Sequence, residues 1–283
     1  MTPRFGIPPD DQALADAITR FAQAELAPHA HAVDEAALST VRYVPALAEL
    51  GVMGMNLPER WGGPGATPTA LVLSLAAIAR ACTATASMIG AHYLATDSLL
   101  IGGDDALRER YLPDAASGAK LGAFALTEPR AGSNPADMAT RAVREGDHYH
   151  LSGTKHFISN AGEADFIVVY AKTDPAAGHR GISAFVVDKG TPGLRVSAPE
   201  KLMGIRGGHA FEVALDCRVP ATQRLGDEGT GFRTAMKTLN KQRINLAGLC
   251  VGPALRLVAE MVKRAQSRQQ FGAQPTQLPS SVR

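Results

Sequence analysis

The pattern of apolar and polar residues divides the chain into a helical, a strand-rich and again a helical part. From about residue 10 to residue 120, apolar residues recur at the spacing of amphipathic helices. Asp10, Thr67 and Asp104 precede such segments and are predicted to cap their first turns. Residues 1–120 are therefore predicted to form an all-helical domain.

The middle part, residues 121–226, has a different pattern. Short β-branched and aromatic runs, such as 166–170 and 182–187, alternate with turn residues. Several strands at this spacing predict an antiparallel barrel or sandwich.

The last part, residues 227–283, returns to the helical period after the glycine-rich turn at 226–231. It reads as one long helix, which Pro253 is expected to kink. A lone amphipathic helix cannot bury its own apolar face, so further helices, another subunit or the barrel must cover it. The predicted fold class is α+β and mainly α, with an incomplete C-terminal helical domain.

Composition and charge exclude some classes of protein. Of 283 residues 45% are hydrophobic and 20% charged, and the net charge of +2 comes with no basic stripe, so no nucleic-acid partner is expected. Three widely spaced cysteines favour a reducing compartment. Residues 1–6 contain no apolar run typical of a secretory signal, so a cytoplasmic protein is expected. Polar residues interrupt the apolar stretch 70–91, so no membrane span is expected there.

The segment 124–134, with the sequence FALTEPRAGSN, is the most specific motif. It resembles the signature of the FAD-dependent acyl-CoA dehydrogenase family, in which Thr-Glu-Pro is followed by Ala-Gly-Ser. The resemblance implies that Phe124, Leu126 and Thr127 lie along the flavin rings. It also implies that Gly132 and Ser133 bind the cofactor, with Ser133 near both its phosphate and the pantetheine arm of the substrate. The alternative is an ordinary strand that ends in a Pro-Gly turn.

A second block, 153–162, resembles the family segment in which an aromatic residue stacks on the flavin and a hydroxyl follows two residues later. Phe157 and Ser159 fit these positions, with Ile158 between them as a further cofactor contact. Phe in place of the usual Trp keeps the stacking surface but loses the indole donor. The alternative role for Phe157 is plain barrel core.

A third block, 267–272, resembles the family's Arg-x-x-Phe-Gly segment at the end of a long helix. The resemblance implies that Arg268, Gln270 and Phe271 reach the FAD of a neighbouring subunit, in a homodimer or homotetramer. The alternative, with substantial weight for Arg268 taken alone, is a basic residue at a helix end, favoured by the helix dipole.

The segment 239–243 resembles the family helix that lines the acyl-CoA site, which assigns Asn240 and Arg243 to substrate binding. Some relatives carry their catalytic glutamate immediately before this arginine, where this chain has Gln242, which cannot accept a proton. Glu128, Asp227 and Glu228 lie in turn segments that do not match the family's base. No catalytic residue is assigned, because most relatives carry the base in later helices that this chain is expected to lack.

Histidine spacing gives no metal site. His29 and His31 point to different faces of a predicted helix, and His148 and His150 have no obvious third ligand.

The resemblance implies a flavoprotein that oxidises an acyl-CoA to the 2-enoyl-CoA and passes electrons to an electron-transfer flavoprotein. The alternatives are a flavin-dependent monooxygenase of the same fold and a flavin- or acyl-CoA-binding relative without a base. Small residues between 84 and 91 leave room for a long or branched acyl chain, but they equally permit tight helix packing.

Overall fold

The computed structural model describes residues 6–274. Most of the segment interpreted above as lacking a secretory signal, 1–5, lies outside the described residues. The α-helices are α1 (Pro9–Phe21), α2 (Ala30–Glu35), α3 (Val44–Glu49), α4 (Pro68–Ala81), α5 (Thr83–Gly102), α6 (Asp105–Ala116) and α7 (Gly231–Ser267). The strands lie between α6 and α7, so the predicted order of helices, strands and a final helix is confirmed.

The strands form one mixed sheet, mainly antiparallel. They are β1 (Gly122–Ala125), β2 (Arg141–Glu145), β3 (His148–Ser159), β4 (Phe166–Lys172), β5 (Ile182–Asp188), β6 (Leu194–Val196), β7 (Ala210–Pro220) and β8 (Arg224–Leu225). The order across the sheet is β6-β7-β3-β2-β4-β5-β8, with β1 added beside β4.

Two pairings depart from the predicted antiparallel pattern. Strand β1 runs parallel to β4, with Gly122 opposite Phe166, and β2 touches β4 in parallel through Arg141 and Lys172. Parallel neighbours need a long connection, and the chain between β1 and β4 supplies it as the motif loop and the β2–β3 hairpin. The motif loop therefore starts from the end of a strand that pairs with β4 alone among the described strands.

Two of the three predicted helix N-caps are present in the structure. The side chain of Thr67 accepts from the Ala70 amide at 3.1 Å, and that of Asp104 accepts from the Leu107 amide at 2.9 Å, so both caps are confirmed. The cap at Asp10 is wrong, because α1 begins at Pro9, whose fixed φ suits a first helical residue.

The long apolar stretch after Thr67 is two helices rather than one. Cys82 has φ −148° and ψ 102°, an extended conformation that separates α4 from α5. Helix α7, in contrast, continues unbroken through Pro253.

Strand β3 carries an irregularity at the position of the second motif. Its register with β7 shifts between Lys155 and Ile158, and between them Phe157 has φ +56°. Bulges re-aim side chains locally, and a bulky residue at positive φ is uncommon. The sheet thus turns Phe157 out of the regular alternation, and its side chain is 57% exposed.

Helix α7 lies close against α4 because two glycines remove side chains from the crossing. A Cβ added at Gly248 would meet Val72 O at 2.7 Å. A Cβ added at Gly252 would meet Arg80 N at 2.7 Å and would lie closer still to Ala76 O. The spacing of four places both glycines on one helix face.

The other face of α7 is apolar and exposed. Leu246, Leu257, Val258 and Met261 are 58–68% exposed. Among the described residues, α7 is also the one helix that is long and apolar enough to cross a membrane, by length and composition only. Its most apolar 18-residue segment has a mean hydropathy of 1.3, and 17% of that segment is buried. The prediction that other helices or another subunit cover this face stays a prediction.

Close packing at Gly252 predicts opposite effects of alanine at two helical glycines. Gly252→Ala should lower the free energy of unfolding by about 1–2 kcal/mol, because overpacking at the crossing outweighs the gain in helix propensity. Gly90→Ala on α5, where an added Cβ meets nothing within 4 Å, should raise it by up to about 1 kcal/mol. Urea denaturation measures both, and a stabilised Gly252→Ala would contradict the close crossing.

Candidate functional site

A cleft of 460 Å³ lies between the end of β1, the bulge of β3, and helices α5 and α7. Residues of both sequence motifs line it: Phe124, Leu126, Thr127, Gly132, Ser133, Phe157, Ile158 and Ser159. Ala91, Leu94, Pro135, Met236 and Leu239 complete the wall. The structure thus brings together residues that are up to 35 positions apart in the two motifs, as the difference between 124 and 159 shows.

The aromatic residues of this cleft have different roles in its wall. Phe124 is partly buried and packs on the buried ring of Tyr170, with centroids 5.1 Å apart. Phe157 is the exposed ring, and its left-handed backbone is a local strain of the kind that concentrates at functional sites. The alternative role of Phe157 as plain core does not fit a side chain with this exposure.

The main chain behind the cleft is held by a buried ion pair. Lys155 Nζ lies 2.8 Å from Glu128 Oε1 and donates to Leu126 O at 3.1 Å. Glu128 accepts further hydrogen bonds from the amides of Ala139, at 2.6 Å, and Thr140, at 3.1 Å. The Lys155 side chain is 0% exposed and that of Glu128 5%.

Burial and charge act against each other in this pair. Burial lowers the pKa of Lys155 to about 8, although the Glu128 carboxylate favours its protonated form. Burial also opposes ionisation of Glu128, but the Lys155 ammonium and three hydrogen bonds outweigh it and hold the pKa of this carboxyl below its ordinary value. Near neutral pH both groups are charged.

The start of β1 is fixed from α5. The Gly122 amide donates to Nδ1 of His92 at 3.0 Å. Burial lowers the pKa of His92 to about 4, against the opposing effect of backbone hydrogen bonds at Ala115 and Met53, so the ring is neutral and can accept.

A second cleft, of 550 Å³, continues from the first between α5 and α7. The residues common to both walls are Ala91, Leu94, Ser159, Met236 and Leu239. The second cleft adds the small residues Ala86, Ser87 and Gly90 from α5, Asn240 and Arg243 from α7, and three leucines, Leu75, Leu246 and Leu249. Both predicted substrate-binding residues of α7 therefore line a cleft that adjoins the first.

A buried carboxylate joins α5 to α7 beside this second cleft. Asp97, 0% exposed, accepts from Lys241 Nζ at 2.6 Å, Gln242 Nε2 at 2.5 Å and Asn56 Nδ2 at 2.9 Å. Burial raises the pKa of Asp97, and the Lys241 ammonium counteracts this. The Gln242 carbonyl accepts from Asn245 at 2.7 Å, so both ends of this amide are engaged.

Models of three domains of one family match the chain. They are the N-terminal domain of acyl-CoA dehydrogenase over residues 8–119, the middle domain over 123–217 and the C-terminal domain over 229–281. The chain belongs to the acyl-CoA dehydrogenase family. The predicted family is thereby confirmed, and the match accounts for most of the chain.

Individual members of the acyl-CoA dehydrogenase family are similar over nearly the whole chain. Cyclohex-1-ene-1-carbonyl-CoA dehydrogenase of Geobacter metallireducens is 42% identical over 91% of this chain and 68% of its own length. The solved butyryl-CoA dehydrogenase of Megasphaera elsdenii superposes with a TM-score of 0.93 at 32% identity, covering 99% of this chain and 74% of that one. A chain from the solved electron transferring flavoprotein of Acidaminococcus fermentans has a TM-score of 0.93 at 35% identity, covering 98% of this chain and 73% of that one.

FAD is the cofactor of acyl-CoA dehydrogenases, and the first cleft fits its ring system. The ring of Phe157, several apolar side chains and the hydroxyls of Thr127, Ser133 and Ser159 line it. A flat, amphipathic ring needs such an apolar slot with a few polar groups at its edge.

The third motif lies far from this cleft within the chain. Arg268 follows the last residue of α7, and Phe271 beyond it is 86% exposed. At about 1.5 Å of rise per residue, α7 carries Arg268 about 40 Å beyond Leu239. Arg268, Gln270 and Phe271 do not line the cleft of their own chain.

The catalytic base stays unassigned. Neither cleft is lined by a carboxylate among residues 6–274. Glu128 is paired with the buried Lys155 and the buried Asp97 with Lys241, and Glu228 is exposed at the distant end of β3, near Arg224. In the same described range, no group of three or more side chains suited to a metal ion is found.

Sequence reasoning missed the residues that hold the site from behind. It gave no role to Lys155 or Asp97, and it considered Glu128 only as a base. The available signal for Lys155 was its place two and three alternate positions after Leu151 and Tyr149 on β3, and for Asp97 its place on a largely apolar helix. A charged residue in such a position is almost never fully buried unless it is paired.

The lowered pKa of Glu128 predicts a pH-dependent loss of stability. Its carboxylate stabilises the folded chain fully above the ordinary pKa of 4.5, and this contribution is lost as the pH falls through the lower folded-state value. Glu128→Gln should therefore cost about 3 kcal/mol at pH 7 and progressively less below about pH 4.5. Urea denaturation across this range measures the difference from wild type.

Glu35→Gln is the matched control, because the Glu35 side chain is 73% exposed. It should change stability by less than about 0.5 kcal/mol at every pH. A cost of Glu128→Gln that does not vary with pH would contradict the assignment.

Proposed function

We propose that this chain oxidises an acyl-CoA thioester to the 2-enoyl-CoA, with the flavin ring in the first cleft and the acyl group in the second. In this reaction the α-proton passes to a base and the β-hydride to the flavin, so the substrate loses two electrons and two hydrogens. FAD supplies the hydride acceptor. The observation that carries the proposal is the shared wall of the two clefts, which would place acyl chain and ring in contact.

Residues of the first cleft would orient the flavin. Phe157 offers its exposed face for stacking, and Phe124 and Leu126 form apolar floor. Thr127 is half-buried and offers a hydroxyl at the ring edge. Its position at the end of β1 supports the predicted role beside the nitrogen that accepts the hydride.

Residues of the second cleft would hold the thioester end and enclose the chain. Asn240 and Arg243 are exposed on α7 and can donate to the CoA arm or the thioester carbonyl. Small residues on α5 leave volume for the acyl group, and Leu75, Leu246 and Leu249 add apolar surface to the same cleft. Gln242 lines the wall as a fixed amide and takes up no proton.

Arg268, Gln270 and Phe271 would complete the flavin site of a second copy of this chain. Their distance from the cleft of their own chain and their exposure support this role. The working unit is then a homodimer or homotetramer. Similarity to the chain of the Acidaminococcus fermentans electron transferring flavoprotein supports a protein of that kind as electron acceptor, and a cytoplasmic location stays a prediction.

A second candidate is a relative that binds flavin and acyl-CoA without oxidation. The absence of a carboxylate from both described cleft walls favours it. Anaerobic addition of butyryl-CoA to the FAD-loaded chain separates the two candidates. Bleaching of the flavin absorption indicates dehydrogenation, and a spectral shift without bleaching indicates binding alone.

Loss of the stacking ring should weaken FAD binding without unfolding the chain. Phe157→Ala is expected to raise the FAD dissociation constant about tenfold, since stacking contacts of this kind contribute about 1 kcal/mol or more. The melting temperature of the apo chain should change little because the ring is exposed. Quenching of flavin fluorescence measures the binding.

Met203→Ala is the control for Phe157→Ala, because Met203 is fully exposed and lines neither cleft. It should leave FAD affinity unchanged. Equal affinities of both variants would argue against flavin in the first cleft.

The role of Arg268 across subunits predicts a second effect on FAD binding. Arg268→Ala should weaken FAD binding about tenfold, as expected for one charge-assisted contact to phosphate. Arg264→Ala, one turn earlier on α7, should not. Sedimentation with bound FAD should show at least a dimer, and a monomer that binds FAD as tightly with either arginine replaced would contradict the assignment.

A further inference from the structure

We propose that Lys155 is a positioning residue whose buried ammonium, together with Glu128, sets the spacing between Thr127 and Phe157 across the first cleft. The inference depends on the proposed function, because it gives this spacing the purpose of receiving the flavin ring. Lys155 itself lies behind the cleft and does not line it.

The two walls of the cleft belong to strands that are not paired with each other. Strand β1 pairs with β4, whereas β3 pairs with β2 and β7. Among the described strands no ladder of hydrogen bonds therefore fixes the distance from the end of β1 to the bulge of β3. Side chains must supply what the ladder does not.

Lys155 supplies that connection at the required place. Its Nζ donates to Leu126 O at 3.1 Å and to Glu128 Oε1 at 2.8 Å, on the two sides of Thr127. One residue later on β3, the His156 amide donates to Thr127 O at 2.9 Å. Phe157 follows directly, so two successive residues of β3 tie down the main chain opposite it.

Glu128 extends the connection to the far end of the motif loop. Its carboxylate accepts from the amides of Ala139 and Thr140, at the point where the chain returns toward β2. The loop that contains Gly132 and Ser133 is thereby closed at both ends on one ion pair. Flavin-facing residues of both motifs then have fixed positions relative to each other.

Stability alone is a weak reason for this pair. Taking two charges out of water is costly, and apolar residues of similar volume often serve a buried site as well or better. Charge-assisted hydrogen bonds have defined lengths and directions, which apolar contacts lack. The pair is thus better suited to fix a distance than to fill a volume.

The test replaces the pair without leaving an unpaired charge. Lys155→Met with Glu128→Gln removes both charges and keeps an amide oxygen for the loop. We expect the FAD dissociation constant of the full chain to rise about tenfold or more, and the absorption bands of the bound flavin to shift. The dissociation constant and the absorption bands are measured well below the melting temperature of the variant.

Asp188→Asn is the matched control for lost stability. Asp188 on β5 accepts from Arg110, Tyr111 and Gln223 at 2.6–2.9 Å, and none of these residues lines either cleft. It should lower the melting temperature with FAD affinity and flavin bands unchanged. If the double variant does not fold, Lys155→Arg alone takes its place, because it keeps the charge but changes the length and direction of the hydrogen bonds, with an expected loss of affinity of about threefold or more.

The outcomes distinguish failure of the proposed function from failure of the role of Lys155. A wild-type chain that binds no FAD overturns the proposed function and this inference together. A wild-type chain that binds FAD, with the double variant no weaker than Asp188→Asn, overturns the inference alone. Weaker binding and shifted bands in the double variant, with neither in the control, support it.

Discussion

The close approach of α7 to the N-terminal helices is the constraint on which both clefts depend. Helix α7 supplies Met236 and Leu239 to the shared wall, and its distance from the rest of the chain sets how wide that wall opens. Gly248 and Gly252 permit contact with the backbone of α4, and Asp97 fixes the neighbouring stretch of α7 to α5 through Lys241 and Gln242. Backbone contact and a buried carboxylate together define one position of the helix.

The sheet imposes a different kind of order on the other side of the site. Its ladders fix most strands, but the strand ends that carry the two motifs meet without one. Hydrogen bonds from Lys155 and from the His156 amide take over there. The site therefore lies between a helix placed by packing and strand ends placed by polar contacts.

Much of the fold and the lining of the first cleft could be predicted from the sequence, because local patterns carry them. Thr67 is a residue type that caps helices and so predicts the start of α4, and the block around Thr127 matches a family signature. Features that depend on contacts between residues far apart in the chain could not be predicted from the sequence. Nothing in the sequence around Lys155 names Glu128 as its partner, and nothing near Cys82 distinguishes a break between two helices from a continuation. The parallel placement of β1 likewise follows from tertiary packing rather than from its own four residues.

The missing ladder between β1 and β3 bears on how such a site can diversify. A backbone ladder has one spacing, which no side-chain exchange alters. A tether made by a lysine and a glutamate can be lengthened, shortened or abolished by changing a single codon, in a position that never meets the ligand. Related proteins could in this way adapt the first cleft to aromatic ligands of different shape while every residue that lines it is retained.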